Sequence, residues 1–123
     1  MEDCLFCKII AGEIPSNKIY EDERVYAFTD IDPKAPVHIL VIPKKHIKSI
    51  LEVSEEDFEY LDAMVRAAQK IAETQKIAAD GFRLVFNTGE NGGQTVHHLH
   101  MHLLGGRYME WPPGCNDAER SEL

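Results

Sequence analysis

Four of the six histidines in this 123-residue chain fall between positions 97 and 102, in the run Val96-His97-His98-Leu99-His100-Met101-His102-Leu103. His98, His100 and His102 alternate with Leu99, Met101 and Leu103. Alternation at period two is the pattern of a half-buried strand, which sends its two sets of side chains to opposite faces. Residues i and i+2 on one strand face lie roughly 6.5–7 Å apart, so one ligand can touch two of the rings. Imidazole titrates near neutral pH, and such a row offers a neutral nucleophile, a proton donor and a metal ligand in one place. Competing readings are a pure metal site, a purification tag, and a strand whose polar face happens to be histidine. A tag is terminal and uninterrupted, whereas this row is internal and spaced by apolar residues, and histidine is scarce elsewhere in the chain. A catalytic or metal site is the preferred reading.

Such a row needs a sheet to carry it and a partner to cover its apolar side. Residues 19–20, 25–29 and 38–42 read as short strands, separated by the turns Asp22-Glu23 and Asp32-Pro33-Lys34-Ala35-Pro36, with Pro43 ending the third. Ser54 begins a helix whose first turn is acidic (Glu55, Glu56, Asp57). Phe58, Leu61, Met64, Val65, Ala68, Ile71 and Ala72 continue it as one apolar stripe to about residue 79, with Gly81 as the stop. Residues 82–88 read as a fourth strand, Gly89-Glu90-Asn91-Gly92-Gly93 as a turn, and 95–104 as the histidine strand. Residues 4–11 form a compact apolar patch. The order predicts an α+β domain: an antiparallel five-stranded sheet covered on one face by one long helix. Leu99, Met101 and Leu103 are expected to face that helix, and the histidines a cleft on the other side.

The length predicts one domain over residues 1–114, with 115–123 as a short polar tail expected to fray. Thirteen Lys and Arg against 21 Asp and Glu leave a net charge of −8, which argues against nonspecific binding to nucleic acid or to an anionic membrane surface. It leaves room for a phosphate ligand, because backbone N–H groups, a few histidines or a metal hold phosphate locally. No apolar run approaches the roughly 18–20 residues of a membrane span. The acidic opening Met1-Glu2-Asp3-Cys4 carries no signal-peptide pattern. The expected location is therefore cytoplasmic, where disulfides are not expected. The three cysteines, Cys4, Cys7 and Cys115, are an odd count that argues against a disulfide framework. Cys4-x-x-Cys7 alone is a weak metal signal.

His98-x-His100-x-His102 followed by Leu103-Leu104 resembles the motif of the histidine triad (HIT) family, and Gly92-Gly93-Gln94-Thr95-Val96 resembles that family's phosphate loop. Cys4-Leu5-Phe6-Cys7-Lys8-Ile9-Ile10-Ala11-Gly12-Glu13-Ile14-Pro15, Phe28-Thr29-Asp30-Ile31, Pro36-Val37-His38 and Val41-Ile42-Pro43-Lys44-Lys45-His46 are similar to further segments of it. The tail Gly105-Gly106-Arg107-Tyr108-Met109-Glu110-Trp111-Pro112-Pro113-Gly114 resembles the Hint branch rather than the Fhit branch. The likeness implies a HIT-like α+β meander, homodimeric through the long helix and the last strand. It implies an enzyme acting at the α-phosphorus of nucleotides. The reaction expected of the Hint branch is cleavage of a P–N bond in a purine nucleoside phosphoramidate, releasing AMP- or GMP-type monophosphate. Alternatives are hydrolysis of dinucleoside polyphosphates or of a nucleotidyl sulfate, and a nucleotide-binding interaction module with weak activity.

The same likeness implies roles. His100 matches the nucleophile that forms a nucleotidyl-histidine. His102 and His98 flank it to orient or polarise the phosphate, and His38 is expected to hold the nucleophile's tautomer through a hydrogen bond. Thr95, at a Hint serine position, is the helper for the leaving group. Its plain alternative is an ordinary turn-to-strand hydroxyl. Asn87 and the backbone N–H groups of Gly93 and Val96 complete the phosphate site. Asp30 meets the ribose hydroxyls, and Leu5, Phe6, Ile9, Phe28, Ile31 and Leu40 sandwich the base, with core packing as the plain alternative. Trp111 reaches the partner subunit's site. No organic cofactor is implied. A structural zinc is, on Cys4, Cys7, His46 and His98, one of the usual tetrahedral donor sets. The adjacent His97 competes with His98 as ligand, although period two places it on the opposite face.

Overall fold

A computed structural model describes residues 3–114. The expected polar tail with Cys115 lies outside the described residues. The elements are helix α1 (Leu5–Ile10), strands β1 (Lys18–Glu21), β2 (Val25–Thr29) and β3 (Val37–Pro43), two short 3₁₀ turns (Ile50–Glu52 and Glu55–Asp57), helix α2 (Phe58–Thr74), and strands β4 (Phe82–Val85) and β5 (Met101–Gly105). The strands form one antiparallel sheet in the order β1-β2-β3-β5-β4. The first three run as a meander. The chain then crosses one face as α2, returns at the far edge as β4, and lays β5 between β3 and β4. The expected α+β architecture is present. The apolar patch near the N-terminus is a short helix. Among the described residues no helix is long and apolar enough to cross a membrane.

Side-chain parity divides the core in two. Val25 and Ala27, Ile39 and Val41, Met101 and Leu103 point to the α2 face and pack against Met64, Ala67, Ala68, Ile71 and Ala72. Tyr26 and Phe28, Leu40 and Ile42 point the other way and pack with Phe6 and Ile9 of α1. Because strand side chains alternate, His38 shares that second face with Leu40, and His102 lies opposite Leu40 in the ladder. The sheet therefore delivers two histidines beside α1. Phe58 and Val65, expected in the helix stripe, are off the buried face, at 55% and 44% exposure.

The helix expected from Ser54 begins as the 3₁₀ turn Glu55–Asp57 and becomes α2 only at Phe58. The Ser54 N–H and hydroxyl both donate to the Asp57 carboxylate, at 3.1 and 3.0 Å, a capping box that opens on a 3₁₀ turn. It stops earlier than the expected residue 79. Lys76 takes φ 61°, the Ile77 N–H donates to the Ala72 carbonyl and the Lys76 N–H to that of Glu73. These bonds are the Schellman pattern, formed with lysine where glycine usually stands, and they turn Ile77 back into the core. A left-handed lysine is strained. Lys76→Gly is expected to raise stability by about 0.5–1 kcal/mol after the entropy of the unfolded glycine is counted, read as a higher urea midpoint at unchanged slope.

The histidine strand is shorter than the expected 95–104. Pairing of β5 with β3 ends at Met101–Val41. Two positions on, the partner would be Pro43, which has no N–H to donate and whose carbonyl accepts from His98 Nε2 at 3.0 Å. Residues 97–100 are held instead by side chains and by the Leu99 N–H donating to the Ile47 carbonyl. The fourth strand likewise ends at Val85, short of the expected Thr88.

Candidate active site

His98 and His100 stand on the approach to β5 and His102 on the strand itself, yet the alternation survives: Leu99, Met101 and Leu103 belong to the α2-side core. The hydrogen bonds assign each neutral ring its proton. The Lys34 N–H donates to His38 Nδ1 at 3.0 Å, so the His38 proton is on Nε2. That N–H donates to His102 Nδ1 at 2.9 Å, which leaves the His102 proton on Nε2, facing Asn87 3.5 Å away, whose amide must turn its oxygen inward to accept it. His100 is set separately. Its Nδ1 lies 2.8 Å from the His98 carbonyl, an oxygen that only accepts, so Nδ1 carries the proton and Nε2 keeps its lone pair. The rings of His100 and His102 are 5.0 Å apart. The expectation that His38 holds the His100 tautomer is corrected: His38 serves His102, its diagonal neighbour across the ladder, and the His98 backbone serves His100. Sequence reasoning missed this carbonyl and the Lys34 N–H, since backbone groups leave no signal in residue type.

Burial keeps these rings neutral. It is the leading cause that lowers His38 and His100, and it lowers His102 to about 4, helped by the neighbouring His100 and His38. Asp30 works the other way: its Oδ2 is 3.5 Å from His38 Nε2, while its Oδ1 accepts from the Asp32 N–H at 2.8 Å. A histidine whose folded pKa lies below its ordinary 6.5 takes up its proton first in the unfolded chain. Its contribution to stability is thus complete above about 6.5 and drains away as pH falls toward 4. Stability from the urea midpoint is expected to drop continuously between pH 6.5 and 4. The His38–His102 bond, which needs a bare Nδ1 on His102, is lost at the end of that range.

His98 is turned to other work. Its Nε2–H donates to Pro43, so its bare Nδ1 faces Cys4 Sγ at 3.2 Å and Cys7 Sγ at 3.6 Å, and His46 Nδ1 stands 3.4 Å from Cys7 Sγ. All four donor atoms lie within 4.8 Å of one another. A tetrahedral ion with sulfur at about 2.3 Å and nitrogen at about 2.05 Å needs sulfur–nitrogen separations of roughly 3.5 Å, so the set fits a metal. Burial and the Cys4 sulfur push the Cys7 thiol up to about 11, a pairing of soft donors that a divalent cation relieves. The exposed His97 is outside the cluster. With both ring nitrogens of His98 committed, the expected phosphate-orienting role of its ring is withdrawn.

The remaining expected residues are placed unevenly. Phe6, Ile9, Phe28 and Leu40 are packed together at 7% exposure or less, so they form a closed floor and not two walls of a slot. Leu5 is half exposed, and Ile31, beside Asp30, is 98% exposed. Val96 packs on the same cluster. Thr95 lines a cavity of about 550 Å³ with Asp3, Cys4, Leu5, His46, Val96 and His97. The loop before it is tied by Gln94, given no role from sequence, whose amide accepts from the Gly89 N–H and donates to the Lys48 and Val96 carbonyls. Gly93 needs its φ of 77°, and a Cβ on Gly92 would stand 2.3 Å from the Thr88 carbonyl oxygen. Trp111 is exposed at the β4 edge, with the Arg83 guanidinium 5.7 Å from its ring centre.

A family model described as "Scavenger mRNA decapping enzyme C-term binding" matches residues 3–111. The crystal structure of a HIT family hydrolase from Legionella pneumophila matches with a TM-score of 0.89 and 52% identity, covering 91% of this chain and 100% of that one. This chain belongs to the histidine triad family. Within the HIT family it is 53% identical over 106 residues to the purine nucleoside phosphoramidase of Escherichia coli, covering 86% of this chain and 89% of that protein. It is 51% identical over 113 residues to an uncharacterized HIT-like protein of Synechococcus elongatus, covering 92% and 98%.

Proposed function

We propose that this HIT protein hydrolyses purine nucleoside phosphoramidates to the nucleoside monophosphate, with His100 as nucleophile. The observation that carries the reading is the His100 ring itself, its Nδ1 proton held on the His98 carbonyl and its Nε2 lone pair left for phosphorus. In the first step Nε2 bonds to the α-phosphorus and the P–N bond breaks. The leaving nitrogen takes a proton relayed from solvent by the Thr95 hydroxyl, which is left unchanged, and His102 Nε2–H donates to a phosphate oxygen beside Asn87. The charge gained by the His100 ring is shared with the His98 carbonyl and favoured by Asp30. In the second step water attacks phosphorus, the P–Nε2 bond breaks with its electron pair returning to Nε2, and the water's proton passes out to solvent by way of the Thr95 hydroxyl. Splitting one displacement into two is the general advantage of covalent catalysis. Asp30 receives the ribose hydroxyls. Leu5 and Ile31 face the base over the floor of Phe6, Ile9, Phe28 and Leu40, and the Gly93 and Val96 N–H groups meet the phosphate.

AMP release from an adenosine phosphoramidate, compared with a diadenosine polyphosphate and an adenylyl sulfate, tests the reading. Faster turnover of the phosphoramidate is expected. AMP binding without turnover of any of the three would make the chain a binding module instead.

The metal on Cys4, Cys7, His46 and His98 is proposed to be zinc, measured as about one ion per chain after purification without added metal. A homodimer is proposed through α2 and the β4 edge. β5, the last strand, is interior and offers no free edge. β4 carries Phe82 and Leu84, each 38% exposed, and a free apolar edge favours pairing with a second copy. Light scattering at micromolar concentration is expected to give twice the chain mass, and the mass of one chain would end the proposal.

A further inference from the structure

The zinc reading assigns the Cys/His cluster a structural part, a brace for the N-terminal segment. Its position relative to His100 says more. His98 gives its side chain to the cluster and its backbone carbonyl to His100 Nδ1, 2.8 Å away. Residues 97–100 have no strand partner, so the direction of that carbonyl is left to the anchors of its own residue. Those anchors are the sulfurs of Cys4 and Cys7 at Nδ1, the Pro43 carbonyl at Nε2, and the Leu99 N–H on Ile47. His98 is fully buried, so no water replaces an anchor that is lost.

A second link runs through α1. Phe6 lies between the two cysteines and sets its ring edge-on against both His98, at 5.8 Å between centres, and His100, at 5.2 Å. A helix of six residues does not hold itself in water. Its place is set by what its side chains reach, and Cys4 and Cys7 reach His98 and His46.

We infer that the Cys4–Cys7–His46–His98 cluster positions the nucleophile: closing these four side chains on one cation fixes both the carbonyl that holds the His100 tautomer and the ring that packs on His100. Cys4, Cys7 and His46 are positioning residues in this scheme and touch no substrate, while Phe6, which also floors the base site, carries their placement to His100. The inference rests on the reading of His100 as nucleophile. Coupling of this kind is reciprocal: a cluster that prepares the nucleotide site must itself be held more tightly once nucleotide is bound.

The test uses the folded, metal-loaded protein with cobalt(II) in the cluster, whose thiolate and ligand-field absorption bands report the donor geometry. AMP is added while the bands and the rate of cobalt removal by a chelator are followed, and AMP binding is measured by calorimetry in parallel. The expected result is a band shift with removal slowed by about fivefold or more. AMP that binds while leaving both bands and removal rate unchanged would overturn the inference, as would a chain that takes up no cobalt. A nucleotide-free arm separates this from failure of the phosphoramidase reading. Nitrogen-15 NMR of His100 is compared in zinc-loaded and chelator-stripped protein that both keep a folded circular dichroism spectrum. The Nδ1–H signal is expected to be sharp in the first and exchange-broadened in the second. Identical signals in the two would overturn the positioning role, whether or not AMP binds.

Discussion

His100→Ala is expected to lower kcat by on the order of 10⁴-fold or more while AMP affinity stays within about tenfold, because the change removes the atom proposed to bond to phosphorus. His102 keeps its partner His38 and its outward Nε2–H. The Phe6 ring of the floor loses its edge-on contact with His100, 5.2 Å between ring centres, while Phe6 keeps its contacts with Phe28 and His98. The cost to the fold falls on the His98 carbonyl, which loses its donor, a penalty of about 1–3 kcal/mol for a buried acceptor, and on the ring contacts with Phe6 and His102. Single-turnover release of AMP and calorimetric binding of AMP, measured on the same preparation, separate the two effects. A variant that still turns over within tenfold of the parent would move the attacking group elsewhere. One that loses AMP binding together with turnover would show that the ring's main part is to shape the pocket.

The largest expected effect on stability comes from the same segment, one residue past His102. Leu103 is fully buried, pairs with Ile39 on β3 and Leu84 on β4, and lies in the core under α2. Leu103→Ala opens a cavity in a place where strands on both sides prevent collapse. A loss of about 3–4 kcal/mol is expected, seen as a melting temperature lower by about 10–15 °C. Leu51→Ala, at a position 80% exposed, is the control and is expected to stay within about 0.5 kcal/mol. A small loss for Leu103→Ala would mean that α2 settles onto the vacated space, and that the sheet and helix are less rigidly spaced than their packing implies.

Much of this arrangement was legible in the residues. The histidine–leucine alternation assigned the correct faces even for His98 and His100, which precede the strand, because extended backbone alternates its side chains with or without a ladder partner. The acidic start of α2 and its Ser54 cap were equally plain. What stayed hidden depended on partners far along the chain. Strand order decides that His38 lies diagonal to His102 and not beside His100, and no local pattern carries strand order. The end of α2 was misplaced because a Schellman turn built on lysine lacks the glycine that usually marks it. The division of labour within the triad, with the His98 ring in the cluster and its carbonyl on His100, turns on one bond to the Pro43 backbone. The cluster came from family resemblance, since Cys-x-x-Cys by itself selects no partners among six histidines.

The central place of β5 sets a timetable for a chain leaving the ribosome. When β3 has emerged, its inner edge, with Ile39 and Val41 alongside, stays unpaired while α2 and β4 are made, until Met101–Gly105 slides between the two waiting strands. An unpaired edge of that kind invites association with other chains. The long-range contacts of the site join an early residue to a late one, with Cys4 and His98 separated by 94 positions and His38 and His102 by 64. A product halted before β5 thus possesses most of the hydrophobic core but lacks His102 and the strand that seats the residues before it, and catalytic competence becomes a certificate that translation ran past the last strand.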